Sequence, residues 1–285
     1  MCVPLCEKKI TEAVLNRRNF LKASGAGAAT AAVAAVSTSF MATPVSAKEE
    51  LFKPTTISIS KVIDLTHQLT PEFPTYDGEP QLTVKEVTSL AKDGYNIHGY
   101  TITNEHFGTH LDAPVHFSDK DSADMIPVEN LVGPLCVIDI IDRAKKDPDA
   151  LLTADDIKKW EKRYGRLPFG AIVAMNSGWD QYANTPKFRN ADDKKVMHFP
   201  GFALDAIQFM LTNRQVKGIV VDTLSLDNGP STKFDVHFNW LPSNRWGLEC
   251  AANLGKLPAR GATVIVGGPK YKGATGGPSR VIALV

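Results

Sequence analysis

Alternation of apolar and polar positions dominates the chain from residue 57 onward. Period-two runs rich in β-branched residues occur at 57–65, 82–87, 95–103, 135–140, 171–175, 218–221, 263–266 and 280–285. Each predicts a short strand, because successive side chains of an extended chain point to opposite faces. Two stretches repeat at helical spacing instead. Thr153, followed by Asp155 and Asp156, predicts a helix running to Arg163, with Thr153 as N-cap and acids in the first turn. Ala203, Ala206, Ile207, Met210 and Leu211 share one face of a second helix over 203–213. Many short strands with few helices predict an α/β protein built on a mixed sheet. No internal repeat or low-complexity linker divides residues 48–285, so a single domain is expected there.

The first 47 residues have a different character. Asn16-Arg17-Arg18-Asn19-Phe20-Leu21-Lys22 precedes an Ala/Gly-rich stretch from Ala23 to Ala42, and Val45-Ser46-Ala47 offers a small-residue cleavage site. This is the pattern of a twin-arginine export signal. A transmembrane anchor would need roughly 20 strongly apolar residues, whereas this stretch is mostly Ala, Gly, Ser and Thr. The expectation is a signal over 1–47, export to the periplasm or medium, and no stable membrane insertion after cleavage.

Composition narrows the partners. Net charge is +1, with 22% charged and 43% hydrophobic residues. Loss of residues 1–47 removes five Lys/Arg and two acidic residues, leaving 27 basic against 29 acidic and a net of −2. There is no basic stripe interleaved with aromatics, so nucleic acid is excluded as a partner and a small molecule is expected. Cys136 and Cys250 remain after the signal, far apart in sequence, able to pair or to serve as buried small apolar residues.

Three of the seven histidines fall within eleven residues, in His106-Phe107-Gly108-Thr109-His110-Leu111-Asp112-Ala113-Pro114-Val115-His116. All three, with Asp112, are even-numbered and would share one face of an extended chain. An ideal strand would nevertheless put His106 and Asp112 roughly 20 Å apart, too far for one metal. The chain must therefore fold back between His106 and His110, and Gly108 is the residue that allows it. From His110 to Asp112 an extended step suffices, and Pro114 stiffens the exit. Neutral imidazole plus carboxylate is a donor set for borderline divalent cations. One isolated histidine would read as a hydrogen-bonded core residue; this cluster reads as a metal site.

The string His-x-Gly-Thr-His-x-Asp-x-Pro-x-His resembles the signature of the metal-dependent cyclase family, which includes bacterial kynurenine formamidases and isatin hydrolases. The likeness extends to Ile63-Asp64-Leu65-Thr66-His67, to 221–227 and to 276–284. It implies a swivelling β/β/α fold, a homodimer or homotetramer, and zinc or manganese, one or two per chain. It further implies that His106, His110 and Asp112 bind a first metal. Glu249, twelve residues after His237, would complete that first site and with Asp112 bridge to a second metal, which His237 would bind. His116 would be the proton donor and acceptor. Tyr76 stands where kynurenine formamidases carry Trp, and the spacing around Gly78 departs from theirs. Tyr76, Phe117 and Trp179 are candidates for an aromatic pocket, Trp179 being better suited to a core than to a pocket wall. Asp222 and Asp227 are candidate supports for the site; His67 and His98 read as structural, and His198 as a loop residue.

The chemistry follows from charge. A divalent metal only partly neutralised by two carboxylates lowers the pKa of a bound water toward about 7. The resulting hydroxide attacks an amide or formyl carbonyl, and His116 returns a proton to the leaving nitrogen. No Gly-x-Ser-x-Gly elbow is present, which removes the usual serine-hydrolase signature. The expected activity is hydrolysis of a small aryl formamide or cyclic amide. Hydrolysis of a lactone, a dehydratase or cyclase reaction, and a non-catalytic periplasmic metal- or ligand-binding protein are the alternatives. The free imidazole of His116 distinguishes an enzyme from a binding protein.

Overall fold

Three apolar runs form the centre of the computed structural model, which describes residues 58–285. They are β5 (Val132–Asp139), β7 (Ala171–Asn176) and β9 (Val216–Val221), paired in parallel as β5-β7-β9. All six residues of β7 are buried. Burial on both faces is why these runs read as continuous hydrophobics. The expected signal over 1–47 and the first residue of the run at 57–65 lie outside the described residues.

Antiparallel strands flank this centre. On one side lie β11 (Ala262–Gly267), β13 (Arg280–Leu284) and β1 (Val62–Asp64). On the other, β10 (Trp246–Glu249) runs parallel to β9 and is followed by β4 (His110–Asp112) and β12 (Gly276–Pro278). The nine strands make one mixed sheet. Only Ser279 separates β12 from β13, yet the two lie near opposite ends of the strand order. The sheet therefore curls until its ends approach, and Thr66, just past β1, forms a bridge with Ala251, just past β10.

Alternation in the central strands divides the core. Cys136, Ile138, Val173, Met175, Ile219 and Val221 face the helices, packing with Ile157, Trp160, Ile207 and Met210. Leu135, Val137, Ile172, Ala174, Val220 and Leu248 face the inside of the curl. Each fully buried aliphatic side chain contributes about 1.5–3 kcal/mol by leaving water. The helix expected after Thr153 spans Ala154–Tyr164, and Thr153 and Asp156 form a reciprocal capping box. Arg143 adds two hydrogen bonds to Asp156 at 2.6 and 2.8 Å. Burial pushes the Asp156 carboxyl up, but Arg143 and Thr153 outweigh it and hold it down to about 2. This cap therefore contributes fully above the ordinary carboxylate range and is lost as pH falls toward 2. The second expected helix is Leu204–Asn213. Cys136 and Cys250 are buried and unpaired.

Candidate metal centre

His106, Gly108 and His110 are brought together by a reversal of the chain. Gly108 sits at φ +62°, and a Cβ there would lie 2.0 Å from Leu69 Cδ2. Glycine takes that left-handed backbone without strain, and any Cβ there would force Leu69 to move. The extended step His110–Asp112 is β4, as expected, and pairs with β10 so that Glu249 lies opposite His110. Pro114 then opens a 3-10 turn, Pro114–Phe117, which carries His116 back over the site. Across β4, Gly276 of β12 pairs with Asp112. A Cβ at Gly276 would come within 2.6 Å of the His106 ring, so this glycine makes room for a ligand.

Each of the three imidazoles is oriented by a hydrogen bond from its outer nitrogen. His110 Nδ1 donates to Gly108 O at 2.9 Å. His237 Nδ1 donates to Asp227 Oδ2 at 2.6 Å, and that carboxylate also accepts from the Val236 and His237 N–H groups at the start of the helix Asp235–Trp240. His106 Nε2 meets Thr275 Oγ1 at 2.8 Å, and Thr275 Oγ1 in turn donates to Glu105 Oε1 at 2.5 Å. A hydroxyl whose proton goes to Glu105 can only accept from His106, so His106 keeps its lone pair on Nδ1. The remaining nitrogen of each ring faces the carboxylates. His106 Nδ1 is 2.7 Å from Asp112 Oδ1, and His110 Nε2 is 3.3 Å from both Asp112 Oδ1 and Glu249 Oε2. His237 Nε2 is 3.6 Å from Asp112 Oδ2 and 3.2 Å from Glu249 Oε1. Each carboxylate thus offers one oxygen to His110 and the other to His237.

These residues fit a divalent cation. Buried acceptor atoms aimed at one another are reconciled by positive charge between them. His110 Nε2 and Asp112 Oδ2 are buried with no hydrogen-bond partner. Ligating atoms of His106, His110 and Asp112 lie within 4.8 Å of one another, as do those of Asp112, His237 and Glu249. Without a cation the carboxylates demand protons instead. Burial disfavours charge on His110, but Asp112 and Glu249 outweigh it and push the ring up to about 10. The same contest sends His237 up, while Asp112, also opposed by burial, is held well below the usual carboxylate range by the three rings.

His116 belongs to neither donor group. Its ring stacks on His106 at 3.8 Å between centroids and lines the cavity. Burial is the main cause that drives it down to about 4, so it is neutral at pH 7. The cavity is about 330 Å³, with Tyr76, Phe107, Phe117, Leu224 and Phe234 as apolar walls. Phe117 lies against His237 at 4.7 Å.

Of the pocket candidates, Tyr76 and Phe117 line this cavity and Trp179 does not. Trp179 is buried beside Phe73, Phe188 and Phe199, with its indole N–H donating to Phe188 O at 2.9 Å. A ring that large, once satisfied inside an apolar cluster, has no reason to face the cavity. Asp222 supports the fold rather than a ligand, accepting from Ser177 and the Trp179 N–H. His67 is packed on Phe73 and Phe188, and His198 pairs with Asp149 in a loop. Sequence reading missed Glu105, Thr275 and Phe234. Phe234, at φ +51°, and Cys250, at φ +54°, are left-handed residues next in space to His237 and Glu249, where strain often marks function. Thr275→Val is expected to weaken metal binding by about 10–100-fold, the usual effect of losing an orienting partner. Competition with a chelator measures it; an unchanged affinity would show that His106 needs no such support.

Known proteins carry the same architecture. The cyclase family model matches residues 63–228. The isatin hydrolase of Roseibium aggregatum is 35% identical over 229 residues, covering 76% of this chain and 86% of that protein. A crystal structure of an isatin hydrolase bound to the product analogue thioisatinate superposes with a TM-score of 0.73 at 33% identity, over 79% of this chain and 92% of that one. Isatin hydrolase A from Ralstonia solanacearum gives the same TM-score, identity and coverage. The chain belongs to the cyclase family, and with the donor set above it is a metal-dependent hydrolytic enzyme. A twin-arginine signal model matches residues 14–34, so the chain carries an export signal. No helix among the described residues is long and apolar enough to cross a membrane.

Proposed function

We propose that the protein hydrolyses the C–N bond of a small aryl-fused cyclic amide of the isatin type. The observation that carries this reading is the convergence of His106, His110, His237 and Glu249 on an aromatic-walled cavity, with Asp112 buried among them, beside a neutral imidazole, His116, that belongs to neither donor group. The 35% relative named an isatin hydrolase supports the substrate class. His106, His110 and Asp112 would hold one divalent cation, zinc or manganese, and His237 and Glu249 with Asp112 would hold a second. When bound, the metal supplies Lewis acidity at the attacking water and at the substrate carbonyl.

The chain's own groups do the rest. Tyr76, Phe117 and Phe234 sandwich a planar ring and exclude water from it. His116 takes the proton of the attacking water as the new C–O bond forms, then returns it to the ring nitrogen as the C–N bond breaks. Because His116 is neutral at pH 7, its ring has a lone pair free to accept that proton. Metal-loaded enzyme screened against isatins, formanilides and lactones should open isatins fastest, read from loss of the dione absorbance. Faster turnover of formanilides or lactones by tenfold or more would reject the substrate assignment.

Residues 1–47 form the cleaved signal, and the enzyme acts in the periplasm or outside the cell. Replacing Arg17 and Arg18 together with Lys should leave the precursor in the cytoplasm. Mature protein still found outside would refute this route.

A further inference from the structure

Gln81 stands where the chain enters β2 (Leu82–Thr88), which pairs with β3 (Ile97–Ile102) as a two-stranded ribbon. Its carbonyl accepts from the Thr103 N–H at 3.1 Å, which fixes its backbone at the base of that ribbon. The residue is only 4% exposed, and it lines the same cavity as His106, His110, His237 and Glu249.

Asp77 sets the direction of the amide. Gln81 Nε2 donates to Asp77 Oδ2 at 3.0 Å. A carboxylate can only accept, so the amide nitrogen must face Asp77 and the amide oxygen must face elsewhere. Asp77 is itself held, its Oδ1 accepting from the Thr75 hydroxyl at 2.9 Å and from the Glu79 N–H at 3.1 Å. Gln81 Oε1 is buried and accepts from no group of the protein among the described residues. Two residues that line the cavity carry a buried side-chain polar atom in that condition, His110 at Nε2 and Gln81 at Oε1. His110 Nε2 faces the two carboxylates and the cation position between them. Gln81 Oε1 needs a donor hydrogen, because an idle buried acceptor is unfavourable. A neutral cyclic amide of the isatin type has one polar hydrogen to give, its ring N–H.

We infer that Gln81 Oε1 accepts the ring N–H of the substrate, which makes Gln81 a specificity-determining residue for amides whose nitrogen is unsubstituted. The inference rests on the cyclic-amide reading above. An N-alkylated amide sets carbon against the same oxygen, and a lactone sets a lone pair there, so either leaves a buried acceptor unpaired. Sites built to hydrogen-bond a substrate N–H reject analogues without it far more strongly than apolar pockets discriminate by size. No bond forms or breaks at Gln81; it holds one side of the nitrogen while His116 protonates it.

Steady-state hydrolysis of isatin and N-methylisatin by the metal-loaded enzyme tests this. The wild type should prefer isatin in kcat/KM by about a hundredfold or more, the scale set by leaving a buried acceptor unpaired. Gln81→Met keeps the length of the side chain and removes the oxygen. It should lower kcat/KM for isatin by about 10–100-fold and leave N-methylisatin no slower than with the wild type, so the preference collapses. Melting temperature and metal content are measured alongside. Should Gln81→Met fail to fold, Gln81→Asn withdraws the oxygen by one methylene and should show the same loss of preference. A wild type that opens N-methylisatin as fast as isatin overturns the assignment without any variant. So does a folded Gln81→Met that keeps the wild-type preference, or one that slows both substrates equally, as a merely structural glutamine would. Those outcomes leave the cyclic-amide reading standing. An enzyme that opens formanilides or lactones but neither isatin overturns that reading, and the role of Gln81 falls with it.

Discussion

His110→Ala should leave a protein that folds, holds little metal and turns over substrate at the background rate. His110 faces both carboxylates, 3.3 Å from an oxygen of each, so its loss opens the set where the two donor groups meet. His116→Ala should behave differently. Its ring reaches the cavity and belongs to neither donor group, so metal content should hold while turnover falls by roughly 10²–10⁴-fold, the usual worth of general acid–base catalysis. Elemental analysis beside steady-state kinetics separates the two variants. Metal loss in His116→Ala would make that residue a ligand and remove the proposed proton carrier. Full metal content in His110→Ala would displace the site.

The contrast also shows what the sequence made legible. The eight expected strands and both expected helices are present: amphipathic helices and one-sided strands such as β11 leave a period in the chain, and the doubly buried central strands leave short, β-branched apolar runs. The need for a reversal at Gly108 followed from strand geometry alone, and φ +62° meets it. β10 was not anticipated, nor was a β12 that stands apart from the strand over 280–285. They are four and three residues long, and they carry Gly, Glu and Pro, which leave no β-branched alternation. The helix Asp235–Trp240 is too short for a periodic signal. Thr275 is the clearest case of what one dimension hides. It lies 169 residues after His106, between Ala274 and Gly276, and nothing local marks it as the acceptor that fixes an imidazole. Trp179 shows the converse, a large ring next to a plausible loop that the apolar cluster claims entirely.

Two metal equivalents per chain are expected when zinc or manganese is plentiful, and the carboxylate geometry is the reason. Asp112 turns Oδ1 toward His106 and His110 and Oδ2 toward His237. Glu249 turns Oε2 toward His110 and Oε1 toward His237. One carboxylate split this way could serve a single ion with a distant orienting histidine; two split in parallel define two positions with shared charge. His237 is also prepared for ligation rather than for holding substrate, since Asp227 fixes its Nδ1–H and leaves Nε2 facing inward. His237→Ala should therefore bind about one equivalent, with His106, His110 and Asp112 still occupied. Glu249→Gln should weaken both equivalents, because it removes a charge that both positions share while keeping the side chain's size. Calorimetric titration of metal-free protein reads the stoichiometry directly. A wild type that saturates at one equivalent, unchanged by His237→Ala, would leave a mononuclear enzyme in which His237 only steadies the carboxylates.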